Sequence, residues 1–262
     1  MPITDFQREI LLRLKKSRNP ESYVAGGTAI QRASDSIRYS MDIDFFHDTD
    51  EAVTSAFASD QKILIEESFR LEILITQPSF YRAVVSKGID SLKLEWVRDT
   101  AFRFFPVIED EEFGYRLHDI DLAVNKVLAL ANRSELRDVL DILDIDSKVL
   151  PLGACVWAAC GKDPGFTPAL LLDMVQRHAN ITPDLLAAES LVHPVDPKEL
   201  KSQFSAALLE AKRLIGGFDS IDLGCVYLDK DGNSLRKFDK PVPKATLRHF
   251  GSVRGAWPRV VK

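Results

Sequence analysis

The run Asp42-Ile43-Asp44-Phe45-Phe46 alternates acid with apolar residue, and it restricts the possible folds more than any other stretch. Side chains two apart on a β-strand point the same way. As a strand, it projects Asp42 and Asp44 from one face while Ile43 and Phe45 enter a core. The sheet that contains it must therefore have one packed face and one face bearing two carboxylates. Such neighbours repel unless something cationic sits between them, and hard oxygen donors suit Mg2+ or Mn2+. Asp-x-Asp alone also fits a plain solvent-exposed strand.

The residues upstream sharpen the reading. Gly26-Gly27 follows the short strand-like "SYV", and Thr28 to Ala33 reads as the start of a helix. A glycine turn lets backbone N–H groups approach an anion closely, and a helix start adds positive potential. A helix of about ten residues and a return strand would bring this turn to the aspartates. Phosphate donors and metal-binding carboxylates together are what a metal–triphosphate complex requires.

Other segments fill in the architecture. Thr4 and Gln7 form a capping box ahead of an amphipathic helix through Leu14. Residues 50–67 read as a helix, and "RLEILIT", "FYRAVVS" and "SLKLEWV" as strands. In the last of these, Leu92, Leu94 and Trp96 take one face while Lys93, Glu95 and Val97 take the other. A long helical region spans about 119–149. Thr167-Pro168, Thr182-Pro183 and Asp196-Pro197 each put a capping residue before a proline suited to a first helical turn, and Gly216-Gly217 ends the last of these helices. "CVYLDKDGNSL" fits a hairpin around Asp231-Gly232. The expectation is an α/β (α+β) domain with a mixed sheet flanked by helices over 1–118, a mainly helical domain over 119–217, and a hairpin with a basic tail over 218–262.

Composition narrows the function classes. The chain has 262 residues, 45% hydrophobic and 28% charged, as in ordinary globular proteins. The longest charge-free stretch, Val149 to Gly161, is too short for a membrane span. The N-terminus has no signal-peptide pattern, and three cysteines at no metal-like spacing read as reduced thiols; both point to the cytoplasm. Net charge is −5, yet residues 230–262 carry nine Lys or Arg against two Asp, a local balance of +7. This asymmetry suits a polyanion contact, a solvated tail, or a strap over the protein's own acidic surface.

Gly26-Gly27-Thr28 followed by Arg38-Tyr39-Ser40-Met41-Asp42-Ile43-Asp44-Phe45-Phe46 resembles the signature of the DNA polymerase β-type nucleotidyltransferases, and within them the AbiEii/AbiGii toxins of abortive-infection (type IV) toxin–antitoxin pairs. "DIDLAVNKVLALANRSELRDVLDIL" resembles a second block of that family through Asp121, Lys126, Arg137, Asp138 and Asp141. The matches cover roughly residues 20–180. The resemblance implies that Asp42 and Asp44 hold two Mg2+ (or Mn2+), with Glu95 as the third metal ligand where the superfamily commonly has Asp. It implies that Gly26, Gly27, Thr28, Ser40 and Lys126 contact phosphates, that Arg38 supports them or the strand turn, and that Asp141 contacts the nucleotide or orients Lys126. On one continuous helix Lys126, Arg133 and Arg137 form a stripe suited to a triphosphate tail; a break near Asn132–Ser134 is the alternative, as is a solvent face laced with pairs such as Arg137–Asp141. Asp121 also fits a helix-start cap.

The function implied is NMP transfer from an NTP to an RNA acceptor, with tRNA 3′ ends as the model, the basic tail contacting the acceptor, and a cognate antitoxin as partner. A small-molecule (antibiotic-type) nucleotidyltransferase shares the same catalytic half. A metal-dependent glycosyltransferase would use Asp-x-Asp without the glycine turn. A non-catalytic nucleotide-binding partner protein is the reading from outside the enzymes.

Overall fold

The computed structural model describes residues 3–32, 35–238, 242 and 246–259, which divide into two compact units. The first comprises 1–101 and 106–118; the second comprises 102–105 and 119–262.

In chain order, the first unit starts with α1 (Asp5–Leu14). Thr4 accepts from the Gln7 amide, and the Gln7 side chain accepts from the Thr4 amide at 2.8 Å. There follow β1 (Ser22–Ala25), α2 (Gly26–Ile30), β2 (Asp42–His47) and α3 (Asp50–Glu66). Next come β3 (Arg70–Gln77), β4 (Phe80–Lys87) and β5 (Asp90–Arg98), then β6 (Phe102–Arg103) of the second unit, then β7 (Ile108–Asp110) and β8 (Gly114–Arg116). Among the described residues, seven strands join one mixed sheet in the order β3-β4-β5-β2-β1-β8-β7. β2 lies parallel to β5 and antiparallel to β1.

The alternation in β2 has the predicted consequence. Ile43 and Phe45 are fully buried, as are Leu94 and Trp96 beside them on β5 and Ala83 on β4. Phe57 of α3 stacks on Tyr81 at 4.3 Å and meets Trp96 edge-on at 5.1 Å. This apolar face of the sheet is packed under α3, and the opposite face carries Asp42 and Asp44. α2 is shorter than expected, five residues rather than about ten. Past Ile30 the chain soon reaches Asp35-Ser36, residues that favour caps and turns over helix interiors. Ala33, expected in this helix, lies outside the described residues.

The second unit is built on α4 (Asp119–Asn132), α5 (Leu136–Lys148), α6 (Leu152–Lys162), α7 (Pro168–His178), α8 (Pro183–Ala188) and α9 (Pro197–Ile215). Thr167, Thr182 and Asp196 cap the last three, each before a first-turn proline. The helical region over 119–149 is broken at Arg133–Glu135, so the continuous stripe does not form. The expected hairpin is present in short form. The chain turns at Asp231-Gly232, with Gly232 at φ 87°, and returns beside β9 (Cys225–Leu228): Leu228 bridges Ser234 in antiparallel fashion, the Asp229 amide donates to the Asn233 carbonyl at 2.8 Å, and the Leu235 amide donates to the Tyr227 carbonyl at 3.0 Å. β9 also pairs with β10 (Leu247–Phe250). Leu235 and Phe238 pack against the buried cluster of Trp157, Cys225 and Tyr227. β11 (Ser252–Val253) pairs with β6. The basic segment is thus partly a strap: Arg248 pairs with Asp222 at 3.1 Å, and His249 Nε2 sits 2.7 Å from the Phe104 carbonyl. Lys240, Lys244 and Lys262 lie outside the described residues.

No helix among the described residues is long and apolar enough to cross a membrane. The three cysteines are buried and unbridged.

Candidate active site

β1 ends in Ala25, whose register partner on β2 is Asp44. Gly26 then turns with φ at 63°, in the left-handed region that glycine alone enters without cost. A Cβ on Gly26 would lie 2.0 Å from Asp44 Oδ2. The carboxylate therefore rests directly against the glycine backbone, and the bend and the acids meet on one face. Gly27 is crowded in the same way, by Arg38 Nη2 and Ser40 Oγ, at 2.9 and 3.0 Å from a built Cβ.

Gly26→Ala should therefore fail twice. It places a side chain in the left-handed region at a cost of ~1–2 kcal/mol, and it pushes Asp44 out of position. We expect a lower melting temperature together with lost NTP binding in a calorimetric titration; unchanged NTP binding would disconnect Gly26 from the site.

Thr28 and Ser40 are buried, and both hydroxyls face the start of β2. Thr28 Oγ1 hydrogen-bonds the Asp42 carbonyl and Ser40 Oγ; Ser40 Oγ donates to the Asp42 carbonyl at 3.1 Å and lies 3.5 Å from Asp42 Oδ1. In this state they position the strand rather than reach outward. Gln7 of α1 donates to the Ser40 carbonyl at 2.8 Å, bracing the segment between Arg38 and Asp42. Arg38 is 4% exposed, and its Nη1 donates to the Tyr39 carbonyl.

Parallel pairing sets Lys93 opposite Asp42 and Glu95 opposite Asp44. On β4, Arg82 is opposite Glu95. One row across the sheet therefore runs Arg82, Glu95, Asp44, Ala25, and Lys93 pairs with Asp42 in the adjoining row. Lys93 Nζ lies 3.1 Å from Asp42 Oδ2 and 3.1 Å from Glu95 Oε1; Arg82 Nε donates to the same Oε1 at 2.8 Å. Partial burial opposes the Lys93 charge, but the Asp42 carboxylate and then Glu95 outweigh it, and its pKa rises above the ordinary value.

This arrangement decides how a divalent ion would fit. Asp42 and Asp44 offer hard oxygen donors on one face, the kind that suit a divalent ion. The Glu95 carboxylate, expected as the third ligand, is held here by Arg82 and Lys93. Among the described residues no three His, Cys, Asp or Glu side chains group as a metal site.

The remaining predicted residues lie in the second unit. Lys126 of α4 is buried, and its Nζ bonds both Asp138 and Asp141 of α5 at 2.8 Å. Arg133, in the break between the helices, binds Asp138 through Nε at 2.7 Å and Nη2 at 3.0 Å. Burial pushes the Asp138 carboxyl up, but Lys126 and Arg133 outweigh it and hold it at about 2. Arg137, directly before Asp138 in the first turn of α5, is half-buried. The break makes Asp138, not the expected row of cations, the hub of this cluster.

Asp121 does not cap the start of its own helix. Two residues into α4, it accepts from the Phe104 and Phe105 amides at 2.7 and 3.0 Å and so clasps the β6 segment. Burial pushes its carboxyl up to about 6, with those amides only partly offsetting. A folded-state pKa above the unfolded value means stability that is complete below pH ~3.8 and lost as pH rises through about 6. Stability should therefore fall between pH 4 and 6 by on the order of 3 kcal/mol from this group. Carboxyl NMR should place its midpoint near 6, and a midpoint near 4 would refute the assignment.

Lys93 and Arg82 were not singled out as site residues from the sequence. Alternation put Lys93 on the same face as Glu95, but strand order, which decides its neighbour, has no local signal.

No protein-family model matches the sequence, and no curated protein matches it either. Solved structures do. MenT4, a nucleotidyltransferase toxin from Mycobacterium tuberculosis H37Rv, superposes with a TM-score of 0.55 at 17% identity, over 79% of this chain and 82% of that one. JHP933 from Helicobacter pylori gives a TM-score of 0.49 at 17% identity, over 79% of this chain and 90% of that one. The chain thus shares the fold of MenT4.

Proposed function

We propose that the chain is a nucleotidyltransferase that moves NMP from an NTP to an RNA acceptor, acting as the toxin of a toxin–antitoxin pair of the type IV kind, with a tRNA 3′ end as the model acceptor. One observation carries this reading: the Asp44 carboxylate rests against Gly26, so the glycine turn and a pair of acids share one place. The likeness to MenT4, itself a nucleotidyltransferase toxin, supports it.

In the proposed reaction an acceptor hydroxyl oxygen bonds to the α-phosphorus of the NTP. The bond from that phosphorus to the bridging oxygen breaks, pyrophosphate leaves, and the hydroxyl proton passes to solvent. Asp42 and Asp44 would hold Mg2+ (or Mn2+), whose charge offsets that of the triphosphate and stabilises the departing pyrophosphate. Gly26, in the left-handed region, lets the turn come against Asp44, so the turn's backbone and the acids lie side by side. Gln7, Thr28 and Ser40 keep the start of β2 in register, so that both carboxylates face that approach. Arg254, Trp257 and Arg259, all exposed, suit an RNA contact; such a contact weakens steeply with salt.

A second reading, a non-catalytic nucleotide-binding partner, draws on the capture of Glu95 by Arg82 and Lys93. Incubation with each radiolabelled NTP, Mg2+ and total RNA separates the two. Label on RNA supports transfer. NTP binding without transfer supports the second reading, and label on a small molecule points to an antibiotic-type enzyme.

A further inference from the structure

Three carboxylates on one sheet face require cations, and two of the cations are covalently part of this sheet. Lys93 Nζ stands 3.1 Å from Asp42 Oδ2 and 3.1 Å from Glu95 Oε1, while Arg82 Nε holds Glu95 Oε1 at 2.8 Å. The placement follows from the backbone. Lys93 is the register partner of Asp42, and Glu95 is two residues along the same strand on the same face. A divalent ion bridging Asp42 and Glu95 would need oxygens at about 2.0–2.1 Å for Mg2+, in the space that the ammonium fills. Arg82 on the same Glu95 oxygen reinforces the occupancy from the neighbouring strand.

We infer that Lys93 is a built-in cation occupying the position between Asp42 and Glu95, so that Glu95 positions Lys93 instead of binding metal. The face then takes one divalent ion fewer than three carboxylates would allow. Lys93 acts through Asp42, fixing the carboxylate and its charge for the ion that Asp42 and Asp44 share. The inference rests on the proposed reading only in treating this face as the metal-binding one.

Its test needs no nucleotide. Mn2+ bound per chain is counted by electron paramagnetic resonance on the full-length protein, with circular dichroism confirming the fold of each variant. Lys93→Met should bind one Mn2+ more than the unaltered chain, because the vacated position gains a divalent ion. Glu95→Gln should bind the same number as the unaltered chain. An equal count for Lys93→Met, or a count lowered by one for Glu95→Gln, overturns the inference, and the second variant decides the matter if the first does not fold. A merely structural lysine would not raise the count on removal. Absence of transfer in the RNA assay would sink the enzymatic reading while leaving these counts to stand or fall alone.

Discussion

Asp44→Asn should reduce NMP transfer about 1,000-fold while leaving the fold intact. The carboxylate is half-buried and lies against Gly26, so an isosteric amide fits the same space without a new clash. What changes is charge. The amide cannot share a divalent ion with Asp42, and it no longer offsets the positive charge gathered on this face. A metal held at such a site stabilises the charge developing on transferred and departing phosphate oxygens by several kcal/mol. A loss of about 4 kcal/mol corresponds to the expected factor. The measurement is the initial rate of label incorporation with saturating NTP, alongside a thermal melt. Asp42→Asn should behave alike in rate but differ in one respect: it also releases Lys93, whose nearest carboxylate partners are Asp42 and Glu95. Retention of more than a tenth of the rate by Asp44→Asn would remove Asp44 from the reacting centre.

The part of the site written in local sequence was legible, and the part written in strand order was not. A period of two placed Asp42 with Asp44 and Lys93 with Glu95, and β2 and β5 obey it. Gly26-Gly27 announced a turn, and the turn stands where the acids are. Nothing local says that β5 lies beside β2 in parallel, which is what turns Lys93 into a partner of Asp42. The same gap explains Lys126. Helical periodicity lined it up with Arg133 and Arg137, but the chain breaks at Arg133–Glu135, where Ser134 follows two polar residues and no apolar side chain calls for burial. Asp138 then swings beneath Lys126 and Arg133. The turn at Asp231-Gly232 and the return of Leu235 to Tyr227 were legible; the pairing of β9 with β10 was not, because it joins segments separated in sequence by the whole turn and the chain beyond it.

Asp60→Ala should cost ~3–5 kcal/mol of stability, the usual penalty for stripping one partner from a buried ion pair. Arg18 and Asp60 are 42 residues apart in sequence, and both side chains are wholly buried. Arg18 Nη2 donates to both Asp60 oxygens, at 2.6 Å to Oδ1, and the guanidinium lies 4.3 Å from the centre of the Phe45 ring. Trp96 Nε1 donates to Asp60 Oδ2 at 2.8 Å. Burial raises the Asp60 pKa above the usual carboxylate range even though Arg18, Trp96 and Ser17 all oppose it. One carboxylate of α3 thus ties the chain leaving α1 to the apolar face of β2 and β5, the face opposite the acids. Its removal leaves a cation in the core, an indole N–H without its acceptor, and a cavity beside Phe45. At ~2–4 °C per kcal/mol for a chain of this size, the melting temperature should drop by roughly 10 °C. Replacing both partners together, Arg18→Met with Asp60→Leu, should recover most of the loss, since no buried charge then lacks a partner. A double variant no more stable than Asp60→Ala alone would mean that the loss comes from packing around Phe45 and Trp96, and not from the stranded guanidinium.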